Sequence, residues 1–537
     1  MKQVAATLVS LLSLLLPLCS PAVLAQQDFG DVAFVSSGPA AAQADFLHGL
    51  AQLHNFEYGD AAAHFRKAQQ LAPDFALAFW GEAMTQNHPV WYEGDIPAAQ
   101  AILNRLAPTP EARLAKTPTE REQLYLHSVE VLFGAGTKAE RDRRYASVLA
   151  ELHRKFPDDV DGTSFYALAL LGTAEHGRDV ATYMRAAAVL EELFPHHPRH
   201  PGVVHYLIHC YDDPVHAPLG LRAARLYATL APDAGHAQHM TSHIFLALGM
   251  WDDVVRANET AIAVVNRLRQ HAGKPPAMCG HYHDWLAYSY MQQDRVPEAR
   301  RVLEGCRQTA EQLAAAASQD PSPGQDPMEA RKQAMMALGS YAAMRAHLLI
   351  DAQLWNDDVA RWPLPAGDYP VARLTFEYTD ALAALRRGDV ARAREAASRA
   401  ESARARAVAW WQQQKVDEPQ GPERFLLLTE QLHALLTAVE GKSQEAVTEL
   451  QRIAAQEHAM PLAYGPPSVY KPTDELLGEL LLDLHRPSEA HEAFQAALAR
   501  TPGRRLVVEA LAHTDKAIAA ATEADQQSSA NRPADNH

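Results

Sequence analysis
The chain has 537 residues, with 49 Lys+Arg against 65 Asp+Glu and a formal net charge of −16. That balance excludes the basic face that a nucleic-acid binder needs. Hydrophobic residues make up 47% and charged residues 21%, as in a soluble globular protein, and the length demands several domains or a repeat array.

Residues 1–25 read as a secretory signal peptide. Lys2 supplies the charge, and Leu8 to Leu18 is apolar apart from Ser10, Ser13 and Pro17. Val23-Leu24-Ala25 then offers a cleavage site before Gln26, and the apolar core is too short to span a bilayer. Leu18 before Cys19 argues against lipidation. No later stretch approaches a membrane span, so export across the inner membrane to the periplasm is expected. Three cysteines follow, Cys210, Cys279 and Cys306. They are no disulfide framework, but an oxidising compartment permits one bridge.

From residue 42 onward strand signals are nearly absent, and apolar residues recur at helical spacing among Ala, Leu, Arg, Glu and Gln. Thr117-Pro118-Thr119-Glu120 reads as an N-cap, a proline at the first helical position and a capping acid. Internal similarity is visible. Leu71-Ala72-Pro73 recurs as Leu230-Ala231-Pro232, and Gly-led turns before small-residue helices recur at Gly59, Gly388 and Gly441. Gly478, Ala490, Phe494, Ala497 and Pro502 repeat the spacing of Gly49, Ala61, Phe65, Ala68 and Pro73.

This pattern resembles the tetratricopeptide repeat family, built from pairs of antiparallel helices with a 34-residue period. Repeat starts fall near residues 42, 76, 160, 201, 235, 280, 374, 427 and 471, with an irregular hairpin at 118–156. The implied fold is all-α, a superhelix in which each hairpin buries its apolar side only against its neighbours. The expected organisation is a first array over 26–313 with a His-rich concave site, a loop over 314–330 around Ser318–Gln325, a second array over 331–512 and a disordered tail over 513–537. On the repeat positions, Cys279 and Cys306 fall at one end of a hairpin, where a bridge and two free thiols both stay open.

Histidine is the compositional outlier. Nine of the 26 lie between His196 and His243. His205 and His209 are spaced i, i+4, and His236, His239 and His243 follow at i, i+3, i+7, each set on one helical stripe. His239 and His243 lie 34 residues after His205 and His209, so stacked helices would bring the stripes together. Asp212 and Asp213 continue the first stripe, and His281 and Asp284 open the next unit in register with His236 and His239. The resemblance implies that these positions line the concave surface rather than pack between helices. The chain also resembles a group of exported bacterial repeat proteins carrying a His-x-x-His-Met-x-Ser-His stretch, to which no activity attaches.

Imidazole is the commonest protein metal ligand, and converging imidazoles suit Zn, Cu, Ni or Fe(II). The leading reading is therefore a transition-metal site of His205, His209, His239 and His243, with His236 and Asp213 as extra ligands. His281, Glu82 and His216 are further site candidates. A metalloenzyme on the same site would draw its acid or base from Asp212, Asp213 or Asp284. A metal-free scaffold would hold a peptide or protein partner in the groove. The structural alternatives are a hydrogen-bonded histidine network, an exposed turn for the loop holding His196, His197 and His200, and core packing for Trp80, Trp91, Tyr92 and Trp285. Glu82, Asn87 and His88 are candidates to face the histidines across the groove, with a purely structural role as the alternative, and Cys210 reads as a small buried residue. No zinc-protease, nucleophile-elbow or Walker motif is present, and Gly134-Ala135-Gly136-Thr137-Lys138 lacks the spacing of a phosphate loop. There is no nucleotide or flavin signal, and no reaction is legible.

Overall fold
The computed structural model describes residues 28–530 apart from 92, 176, 320–326, 366, 368, 415–419 and 463. The signal peptide, Tyr92, most of the Ser318–Gln325 loop and the last residues of the tail lie outside the described residues. The described residues form twenty-three α-helices and one minimal sheet, in which Asn87–His88 pairs antiparallel with Glu93–Gly94. The fold is an all-α solenoid of tetratricopeptide-type hairpins. Among the described residues, no helix is long and apolar enough to cross a membrane.

The first helices of the hairpins begin at Ala40, Ala76, Val160, Pro201, Gly235, His281, Pro370, Gly421 and Thr473. The 34-residue register therefore places most repeat starts closely, and the start expected near 427 is the one most displaced. The small residues have a direct role. A Cβ at Gly49 would lie 3.0 Å from the Phe65 ring, and one at Gly478 would lie 2.6 Å from Phe494. At both ends of the array the same glycine admits the same phenylalanine, so equivalent hairpins close by the same contact.

Two local expectations change. The capping residue of the Glu120–Leu132 helix is Thr119, which accepts the Glu122 N–H at 3.2 Å, and Pro118 precedes it instead of opening the helix. The Thr117 hydroxyl turns back to the Leu114 carbonyl, which removes it as a cap. The expected disordered tail instead carries a helix, Arg505–Ala530, anchored by buried Val507 and Thr514.

The array closes on itself. Trp251 Nε1 donates to the Gly503 carbonyl at 2.9 Å, Arg504 Nη1 to Tyr288 Oη at 3.2 Å and the Arg505 N–H to Gln292 Oε1 at 2.9 Å. Gly249 and Gly503 meet back to back, with φ near 68° and 69°, where a side chain would strain the turn and strike the facing backbone. Residues on both sides of 320–326 share one core, in which Leu303 and Cys306 pack with Leu338 and Tyr341. Tyr464 and Gly465, sent back by the later hairpins, reach across to Tyr183 and Trp285.

Candidate metal centre
The Pro201–Tyr211 helix is started by His200, whose Nδ1 accepts the Val203 N–H at 3.4 Å, with Pro201 in the first turn. It carries His205 and His209. The Gly235–Ala247 helix starts on Glu57, whose carboxylate accepts the His236 N–H at 3.1 Å. It carries His236, His239 and His243. Burial pushes the Glu57 carboxyl up to about 7. Gly280, with φ 126°, leads into the His281–Gln292 helix, and a Cys279–Cys306 disulfide ties that entry to the following helix.

The six histidines sort into two triads. His205, His209 and His236 offer ligand atoms within 4.8 Å of one another, and so do His239, His243 and His281. The grouping differs from the four-histidine set expected from register. Along the middle helix, His236 goes to one centre and His239, three residues and about 4.5 Å of rise further on, goes with His243 to the next. The triads adjoin, with ring centroids 6.2 Å apart for His209 and His243 and 6.3 Å for His236 and His239.

Hydrogen bonds assign the ring protons. His205 Nδ1 lies 2.7 Å from the His54 carbonyl oxygen, which only accepts. His239 Nδ1 lies 2.7 Å from Asn258 Oδ1, and the Asn258 amide is oriented because its Nδ2 donates to the Val254 carbonyl. His243 Nδ1 lies 2.5 Å from Asp212 Oδ2. All three therefore donate from Nδ1 and turn a bare Nε2 lone pair inward. The inward atoms approach in pairs, 3.1 Å between His209 and His205 Nε2 and 3.2 Å between His243 and His239 Nε2. Burial pushes His205 down to about 3, and drives His209, His236 and His239 well below the usual imidazole range with help from neighbouring histidines. Burial thus favours the neutral form of His205, His209, His236 and His239.

The expected open concave face is instead covered. His205, His209, His236, His239 and His243 are all buried, while His281 stays exposed at the rim. Trp285 lies against His243 at 4.4 Å between centroids, and Tyr464 hydrogen-bonds Tyr183 at 2.7 Å above it. A Cβ at Gly465 would run into the Trp285 ring. The cover comes from the closure of the array, which a repeat register cannot report.

The other expected residues separate. Asp212 touches the site through His243. Asp213 joins neither triad, because its oxygens hold Arg178 at 2.6 Å and His216 at 2.8 Å. Burial would raise the Asp213 carboxyl, but Arg178 and His216 outweigh it and hold it below the usual range. His216 is spent on that contact. Asp284 also joins neither triad, and burial pushes its carboxyl up to about 6. Glu82 does not reach the histidines, since its carboxylate is taken by Arg66, Arg105 and Gln69. Trp80 and Trp285 are core, Cys210 is a buried free thiol, and Trp91 is 46% exposed. His196 and His197 sit in an exposed turn, but His200 is buried and donates from Nε2 to Asp161 Oδ1 at 3.2 Å.

Sequence reasoning missed Asn258, Phe56, Glu57, His54 and Asp161. Asn258 had a signal, because it occupies the repeat position that holds Phe65 and Phe494 in the terminal hairpins. Phe56 had none. It adopts φ 57°, rare for a side chain of its size, and lays its ring 4.4 Å from His205 and 5.4 Å from His236.

Fold and site together define a helical-hairpin repeat protein with a buried polyhistidine centre. No protein-family model matches the chain, and no curated protein matches it. Among solved structures it is similar to yeast Tom70, at 10% identity and TM-score 0.33 over 90% of this chain and 96% of that chain. It is similar to a human IFIT1 dimer with m7Gppp-AAAA, at 14% and 0.33 over 92% of each chain. It is also similar to the P58(IPK) TPR domain, at 11% and 0.23 over 90% and 99%. Likeness at that level carries nothing about what this chain binds.

Proposed function
We propose that this chain is an exported metal-binding repeat protein whose two histidine triads each hold a transition-metal ion. One observation carries the reading. His239 and His243 spend their Nδ1 protons on an amide oxygen and a carboxylate, and this leaves their two Nε2 atoms facing each other at 3.2 Å, while His205, its Nδ1 proton on a carbonyl, turns an Nε2 lone pair toward His209. Two facing lone pairs repel unless a cation lies between them. Metal-bound histidines show the same outer hydrogen bonds, which fix the tautomer and make the ligand more basic.

All-imidazole donors favour Zn, Cu, Ni or Fe over Mg or Ca. Three nitrogens per ion leave a coordination position open, the pattern of a reactive rather than a purely structural site. The test is elemental analysis of the mature chain beside His205→Ala and His281→Ala. The expected result is two equivalents in the native chain and the loss of one in each variant. A folded native chain that contains no metal, and takes up none from added Zn, Cu, Ni or Fe, would overturn the reading. The groove would then be tested as a partner-binding surface.

A further inference from the structure
The Cys279–Cys306 disulfide stands two residues before His281, the exposed member of the second triad. Its two ends differ. Cys306 is fully buried on the Val296–Ala317 helix, in a core shared with Leu303, Leu338 and Tyr341. Cys279 is half-buried in the chain that enters the His281–Gln292 helix, and it lines an open cavity of about 430 Å³ together with His281. That entry has few other restraints. The Ala277 N–H donates to Asn266 Oδ1 at 2.7 Å, but the next residue, Met278, is 47% exposed. Gly280 has φ 126°, and a Cβ there would meet nothing within 4 Å, so packing does not hold the turn. No described side chain caps the helix that follows. The first residue of an uncapped helix frays most readily, and here that residue is the ligand His281. The other two ligands of this triad are oriented separately, His239 by Asn258 and His243 by Asp212.

We propose that the disulfide is a redox-sensitive tether that positions His281, so that its reduction by a dithiol loosens the second ion and spares the first. This rests on the metal reading and adds a control to one of its two sites. A thiolate of the dithiol attacks Cys279 Sγ from the cavity and breaks the bond to Cys306, whose sulfur leaves as a thiolate and takes up a proton. The second thiol then displaces Cys279, which takes up the other proton, and the reductant departs as a disulfide. Two electrons and two protons pass from the dithiol to the two cysteines. Cys279 is then released from the fixed Cys306, the first turn of the helix opens, and His281 leaves its place beside His239, where the ring centroids lie 4.6 Å apart. The first triad lies on the Pro201–Tyr211 and Gly235–Ala247 helices, with His205 held by the His54 carbonyl, so the cut does not reach it.

The test is a zinc titration against a chromophoric chelator. It compares the native chain, the chain reduced with dithiothreitol and freed of it under argon, and Cys279→Ser/Cys306→Ser, which copies the reduced state without a thiol ligand. Two ions are expected in the oxidised chain. One should keep its affinity in the reduced chain and in the variant, which also shows that both stay folded. The other should bind about 10- to 100-fold more weakly, the usual effect of losing a group that positions a ligand. In His281→Ala, reduction should weaken the second ion no further, because the tether acts through His281. A disulfide that dithiothreitol leaves intact in the folded chain, unchanged affinity at both sites, equal weakening of both, or a further loss in His281→Ala would overturn the tether and leave the metal reading standing. An oxidised chain that takes up no metal would overturn the metal reading, and the tether with it.

Discussion

Two buried histidine clusters meet at His54, and their hydrogen bonds run in opposite senses. In one, His54 Nε2 and His200 Nε2 both donate to Asp161 Oδ1, at 3.0 and 3.2 Å. The remaining nitrogens accept, His54 Nδ1 from Tyr206 Oη at 3.0 Å and His200 Nδ1 from the Val203 N–H. All four ring nitrogens are used, two as donors and two as acceptors. In the triads, His205, His239 and His243 instead point their Nδ1 protons outward and their Nε2 atoms inward. The first cluster is a finished structural network, although its three side chains are close enough to hold an ion. On the proposed reading, the second is completed by a cation. Ligand type and spacing do not distinguish them, but proton direction does. The two are joined, because the His54 carbonyl receives the His205 proton.

The largest break in that comparison is expected at Asp161. Asp161→Ala leaves two buried imidazoles without an acceptor and should cost about 3–5 kcal/mol in denaturant unfolding. His209→Ala removes a triad nitrogen and should cost the metal-free chain clearly less. Equal losses would mean that the two clusters do the same job.

Acid sharpens the contrast next. Burial lowers His54 to about 4, with Asp161 opposing that shift only in part. Its stabilisation is fully present above the unfolded value of 6.5 and is lost as pH falls toward 4, about 3 kcal/mol in all. Glu57 runs the other way, since its raised carboxyl favours the folded state at low pH and loses that contribution, also about 3 kcal/mol, as pH rises from 4.5 to about 7. Melts of Glu57→Gln, which removes the opposing term, should therefore fall more steeply than the native chain between pH 7 and 4.5. A parallel pair of pH profiles would contradict the Glu57 assignment.

Metal addition should separate the clusters without any acid. At a free metal concentration about a hundred times the dissociation constant, the native chain should gain about 2.7 kcal/mol for each ion held. His200→Asn, in the finished network, should keep that gain, while His243→Ala should lose the share of its own triad. A smaller effect is expected from Asn258→Ala, which touches no ion. It frees the His239 ring and should weaken the second triad's affinity by roughly 10- to 100-fold while sparing the first. Site-resolved titration of the two ions reads this, and equal weakening of both would deny that the triads are separate.

Much of the scaffold was legible because its causes are local. Glycine at Gly49 and Gly478, phenylalanine 16 positions later and helix formers throughout define a hairpin that recurs, and the register of His205 with His239 and of His209 with His243 marked the right helices. The Cys279–Cys306 pairing was compatible with those positions and is present. Illegible were the residues whose roles depend on contacts distant in sequence. Asp213 and Glu82 carry the right chemistry, but Arg178, from the loop before the Val180–Leu193 helix, and Arg105, from the Ile96–Leu106 helix, occupy them. His200 reads as part of a loop, yet it is buried against Asp161.

The sequence by itself determined the all-α repeat architecture and the concentration of imidazoles on two stacked helices, because 3.6-residue and 34-residue periods are properties of a chain. Only the tertiary structure decided that the histidines divide three and three, that Tyr464 and Gly465 cover them, and which nitrogens carry the ring protons. Those outcomes follow from partners such as the His54 carbonyl, Asn258 and Asp212, and from the closure of the array at Gly249 and Gly503. A ring proton goes to whichever acceptor packing places beside it, and that acceptor can come from any part of the chain.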